Sequence, residues 1–144
     1  MAIQFIVILN RQGRLRLAKW YTAIGESQQR QTIKTIHKLI SSRDHRKQSN
    51  FVLFENSRLV YKRYNGLFFV LCISLEDNEL GYLEVIPLFV EILDSYFDGV
   101  CELDIVFNFY KVYRILDEIV VGGELQDTNK TTILNRIYAW DKFA

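Results

Sequence analysis

The sequence predicts an α+β fold, an antiparallel sheet of five strands with helices on both faces. Three observations carry this reading. The elements run strand, strand, helix, three strands, then helices. Two stretches, IQFIVIL (3–9) and LFFVLCISL (67–75), are almost wholly apolar and suit the middle of a sheet. Asn65-Gly66, between two strand-like runs, is a strong two-residue hairpin signal.

The first strand ends at NRQG (Asn10 to Gly13), turn chemistry in which Gly13 can take positive φ. RLRLAKWY (14–21) alternates basic and apolar residues, as a half-buried strand does, and completes an N-terminal hairpin. Residues 26–42 read as an amphipathic helix with Ile33, Ile36, Leu39 and Ile40 on one stripe. RDHRKQS (43–49) is a polar loop, NFVLF (50–54) is strand-like, ENS turns the chain, and RLVYKR (58–63) alternates. The apolar strand 67–75 follows, then the loop EDNE. A second helix is expected from about Gly81 to Phe97, kinked at Pro87 or starting near it. DGV (98–100) breaks it. A third helix is expected from about Glu102 to Val121, ended by Gly122-Gly123 as a left-handed C-cap. Asp127 or Thr128 is expected to cap a last short helix, Lys130 to Trp140. Strands 3–9 and 67–75 should be central neighbours, with the first helix on one face of the sheet and the second and third on the other.

With 144 residues, 49% of them hydrophobic and 14% aromatic, the chain is long and apolar enough for one domain, 1–144, with a real core. A formal net charge of +1 argues against a polyelectrolyte partner such as nucleic acid. Cys72 and Cys101 lie in apolar stretches and allow one disulfide, but two buried thiols in a reducing compartment is the simpler expectation. MAIQFIVIL lacks a basic leader and runs straight into a polar turn, so no secretory signal is expected. No segment reaches the ~18 uncharged apolar residues of a membrane span. The expectation is a cytosolic protein that meets membranes only as a passenger.

FNFYKVYRILDEIVVGGE (107–124) is too apolar for one face of one helix. Asn108, Lys111, Arg114, Asp117 and Glu118 make a thin polar stripe at helical spacing, and the second helix is similar, with Glu84, Glu91, Asp94 and Ser95. The sheet covers one side of each. An obligate partner, with an interface of roughly 2,000 Å² or more, would cover the rest. The other possibility is that the C-terminal helix covers it all.

Signs of catalysis are sparse. His37 and His45 fall in no zinc-ligand pattern. Asp44-His45 has no nucleophile elbow beside it. No glycine-rich phosphate loop is present, and no cofactor is implied. Asp94, Asp98, Glu102 and Asp104 gather near the 98–100 break and read as helix-capping groups, not a catalytic carboxylate pair. A basic cluster is more suggestive. Arg14 and Arg16 alternate on the second strand after Arg11, and Lys62 and Arg63 approach the Asn65-Gly66 turn. Beside them Leu67, Val90, Val100 and Leu103 offer apolar surface. An arginine next to an apolar pocket suits a short peptide in which an acidic residue precedes bulky aliphatics. A solvated basic edge that deters aggregation fits the same residues.

From end to end the chain resembles the small (sigma) subunits of the clathrin adaptor complexes. NRQGRLRLAKWY, SRDHRKQSNFV, LVYKRYNGLFF, FVEILDSYF and VCELDIVFNFYKVYRILDE followed by GGE carry the likeness. FNFYKVY (107–113) and the asparagine of SNFV make it most similar to the endocytic, plasma-membrane type. The trans-Golgi type, which typically has Glu and Ala at the positions of Tyr110 and Val112, is the alternative, as is a longin-like trafficking regulator outside the clathrin adaptors. The resemblance implies a longin-like fold, no enzymatic activity and no cofactor. It implies one place in a heterotetramer of an alpha-type large chain, in whose trunk the small chain sits, a beta-type large chain and a medium (mu) chain. Clathrin and membrane phosphoinositides would be met indirectly through other subunits, at clathrin-coated pits on the cytosolic face of the plasma membrane. The implied ligand is an acidic dileucine signal in the cytosolic tail of membrane cargo. Arg16 falls on the arginine that meets the acidic position, with Arg63 as a helper. Leu67, Val90, Val100 and Leu103 fall on the leucine-pocket lining. Asn65 and Gly99 fall on pocket positions where the family usually has a small apolar residue and an asparagine.

Overall fold

The computed structural model describes residues 3–42, 51–74, 82, 84–126 and 128–142. Its main sheet has five strands: β1 (Ile3–Asn10), β2 (Leu15–Trp20), β3 (Phe51–Phe54), β4 (Ser57–Tyr64) and β5 (Leu67–Ser74). Their order is β2-β1-β5-β4-β3, all antiparallel. The two most apolar strands, β1 and β5, are central neighbours, as their composition predicts. Each is covered on both faces, so neither needs a polar side.

The sheet separates two cores. On one face α1 (Glu26–Ser41) sets Ile33, Ile36 and Ile40 against Phe5, Val7, Leu9, Leu59, Val70 and Cys72. The other face, with Ile6, Ile8, Phe69 and Leu71, is covered by α2 (Val85–Phe97), α3 (Glu102–Phe107), α4 (Phe109–Ile119) and α5 (Lys130–Asp141). Pro87 is the third residue of α2, in the first turn, where a missing N–H costs nothing.

Three expectations need correction. The helix expected over 102–121 is two, α3 and α4, because Asn108 leaves helical geometry (φ −121°, ψ 33°) while its carbonyl accepts from Lys111 and Val112. Gly122-Gly123 does not cap a helix. It turns a small hairpin of β6 (Val120–Val121) and β7 (Glu124–Leu125), and both glycines have the positive φ such turns require. The cap of α5 is Asn129, whose side chain accepts from the Thr132 N–H at 3.0 Å, not Thr128. Asp127, the other expected cap, lies outside the described residues, as does the whole of RDHRKQS, His45 included. The cysteines also divide: Cys72 is buried, Cys101 is exposed, and both are free.

α5 covers only part of the surplus apolar surface. Ile133 and Ile137 are buried, Trp140 lies under the Arg114 guanidinium, and Arg136 pairs with Glu118 at 2.6 Å. Nearer the α3–α4 junction, Leu103, Val106, Phe107, Phe109 and Tyr110 remain exposed.

Candidate functional site

Three connections meet at one end of the molecule: the β1–β2 turn, the β4–β5 turn, and the α2–α3 connection. Each is locally determined. Gly13 has φ 86° and lies so close to the His37 ring that a Cβ would stand 2.7 Å from it, so only glycine fits between hairpin and helix. Asn65 and Gly66 have φ of 48° and 76°, the paired left-handed geometry of a two-residue hairpin, which asparagine tolerates. After α2, Asp98 and Gly99 are both left-handed, and their N–H groups donate to the Asp94 carbonyl.

Hydrogen bonds tie the connections together. The Asn65 amide donates to the Val100 carbonyl at 3.1 Å. One Asp94 oxygen accepts from the Tyr64 hydroxyl and from the Val100 N–H at 3.1 Å, and the same hydrogen bond to the carboxylate pushes the Tyr64 phenol pKa up. Arg16, on β2, donates from Nε to Oε1 of Glu102 at 2.6 Å, and Asn10 donates to that same oxygen from Nδ2 at 3.0 Å. Asn10 pairs with Leu67 across β1 and β5. The Asn10 amide and the Arg16 guanidinium hold the Glu102 carboxyl below the usual glutamate pKa.

The predicted residues are thus gathered but not alike. Leu67, Val90 and Val100 are packed into the core beneath the site, while Leu103 stands exposed at its rim. Arg63 is exposed on β4, opposite Phe68 of the same hairpin. Asn65 turns its amide to the Val100 carbonyl, and Gly99 occupies a left-handed position that disfavours a side chain.

The four carboxylates do different jobs. Only Asp104 caps in the expected way, accepting from the Cys101 N–H at 2.9 Å in a capping box. Asp94 braces the connection, Asp98 lies at the end of α2, and Glu102 engages Arg16. Asn10 and Glu102 are the residues that sequence reasoning missed as site components. The signal available for Glu102 was its place immediately before Leu103.

The sequence matches the family described as Clathrin adaptor complex small chain over residues 2–144. It is 53% identical over 140 residues to the AP-2 complex subunit sigma of Neurospora crassa, covering 97% of this chain and 98% of the relative. To the protein of that name in Dictyostelium discoideum it is 54% identical over 135 residues, 94% of each. Among solved structures, it superposes with a TM-score of 0.80 and 31% identity on a chain of a structure titled as a homology model of the full-length AP-3 complex in a stretched open conformation, covering 99% of this chain and 95% of that one.

Proposed function

The chain belongs to the clathrin adaptor complex small-chain family, and on that premise we propose that it is the sigma subunit of an endocytic adaptor of the AP-2 type. It joins an alpha-type and a beta-type large chain and a medium chain, and braces the trunk of the alpha-type chain. The exposed apolar residues at the α3–α4 junction are surface for which a large partner is a fitting cover. It acts at clathrin-coated pits on the cytosolic face of the plasma membrane, and reaches clathrin and phosphoinositides through the other subunits.

Its own task is recognition without catalysis of acidic dileucine signals in cargo tails. The observation that carries this reading is the meeting of three connections at one end, with Arg16 beside an apolar bed of Leu67, Val90, Val100 and Leu103. Asn65, Gly99 and Arg63 frame it. Two leucine side chains contribute roughly 1.5–3 kcal/mol each if fully buried. The arginine adds selectivity and on-rate more than raw affinity. Ordering of a flexible tail offsets part of this, leaving affinities near micromolar, about −8 kcal/mol. Because Leu67, Val90 and Val100 are packed away, admitting the leucines requires the apolar bed to open.

The test is titration of a fluorescent acidic dileucine peptide into the assembled four-chain complex, with serines replacing both leucines in the control. The expected result is saturable binding that the control lacks. Leu103→Ser should weaken it about tenfold, in keeping with loss of one apolar contact. Equal binding of both peptides would refute the reading. Val90→Asp is a poorer probe, since it buries a carboxylate in the core and threatens folding itself.

A further inference from the structure

We propose that Glu102 is a built-in competitor for Arg16, an internal acidic residue that sets how strongly the site discriminates for an acidic position in its ligand. The inference rests on the peptide-binding reading above. Four observations support it.

First, the arginine is already engaged: its Nε donates to Glu102 at 2.6 Å. Secondly, the carboxylate is anchored independently. Asn10, itself buried, donates to the same oxygen, and its own Oδ1 is fixed by the Arg14 N–H at 2.9 Å. The contact is therefore held from two sides of a rigid hairpin. Thirdly, it remains reachable: the Arg16 side chain is 25% exposed and that of Glu102 37%. Finally, Glu102 stands on the first turn of α3, between the buried Val100 and the exposed Leu103, so the same short segment carries the competitor and the apolar rim.

A ligand carboxylate approaching Arg16 meets the negative charge of Glu102 on the same guanidinium. It must share the guanidinium against like-charge repulsion or displace Glu102 and expose it to water. Either way the ion pair subtracts from the gain an acidic residue brings. A ligand without the acidic residue leaves the pair intact and loses nothing. Glu102 thus compresses the difference between acidic and neutral signals.

The experiment uses the assembled complex with wild-type chain or Glu102→Gln, which keeps shape and length but not charge. Three fluorescent peptides are titrated: an acidic dileucine peptide, the same peptide with serine at the acidic position, and one with serines for both leucines. In Glu102→Gln the acidic peptide should bind roughly threefold to tenfold more tightly, the gain expected from freeing a partly exposed ion pair, while the serine-substituted peptide is unchanged. Asn10→Ser, which loosens Glu102 without removing its charge, should move the same ratio in the same direction by less. An unchanged ratio, or weaker acidic binding in Glu102→Gln, overturns the proposal, the latter making Glu102 a positioning residue. If the third peptide binds as well as the first in both complexes, the site reading fails and this proposal with it. If only the Glu102→Gln complex binds the acidic peptide, both stand.

Discussion

At Glu102 an amide and a guanidinium converge on one carboxylate oxygen, and the consequence is a definite pH signature. The group's pKa is depressed by the Asn10 and Arg16 hydrogen bonds and the nearby Arg14 charge. A depressed carboxylate contributes stability that is full above its unfolded pKa and is lost as pH falls through its lower folded value. The melting difference between wild type and Glu102→Gln should therefore persist at neutral pH and vanish in strong acid. An NMR titration of the Glu102 carboxyl should show a midpoint below 4.5, the unperturbed value. Cys72 behaves oppositely. Burial pushes its thiol up to about 12, whereas Cys101 is exposed. Alkylation of the folded chain at pH 8, mapped by mass spectrometry, should label Cys101 and spare Cys72 until denaturant is added. Asn65 holds a left-handed φ and a hydrogen bond to Val100 together. Asn65→Ala should cost about 1–3 kcal/mol in chemical denaturation, from backbone strain and the lost bond.

Among the elements, α4 closes the free edge of β2 with one side chain. The Tyr113 hydroxyl donates to the Ala18 carbonyl at 2.7 Å and accepts from the Ala18 N–H at 3.3 Å. Tyr113→Phe should lower stability by about 1–3 kcal/mol, measured by denaturant titration on tryptophan fluorescence, because it leaves two edge groups unpaired. The same elements show what a sequence displays and what it hides. Alternation and apolar runs placed all five strands, since those patterns follow directly from which faces are covered. The break at Asn108 was hidden because it interrupts backbone geometry without interrupting the apolar pattern. Val120-Val121 continued that apolar pattern and so read as helix, although two β-branched residues before Gly-Gly are equally a hairpin strand. For the site, Arg16 was legible as a basic residue on a strand. Its partner lies 86 positions away, and no local pattern reports a contact of that range.

For the molecule as a whole, the unresolved balance is between the covered and uncovered parts of its helical layer. Ile105, Val112, Ile115, Leu116 and Ile119 are buried against the sheet and neighbouring helices, while Phe107, Phe109 and Tyr110 face outward. Serine at both Phe107 and Phe109 should raise the solubility of the separately expressed chain and reduce its co-purification with the large chain. Unchanged co-purification would place the interface elsewhere. That cargo leucines settle where the three connections meet can be read by photo-crosslinking. A dileucine peptide with a photoreactive leucine would be bound to the assembled complex, irradiated, and its attachment points mapped by mass spectrometry. A binding site there gives crosslinks in this chain at Leu103 and within 98–103. Attachment to another subunit, or to the α1 face of the sheet, would contradict it.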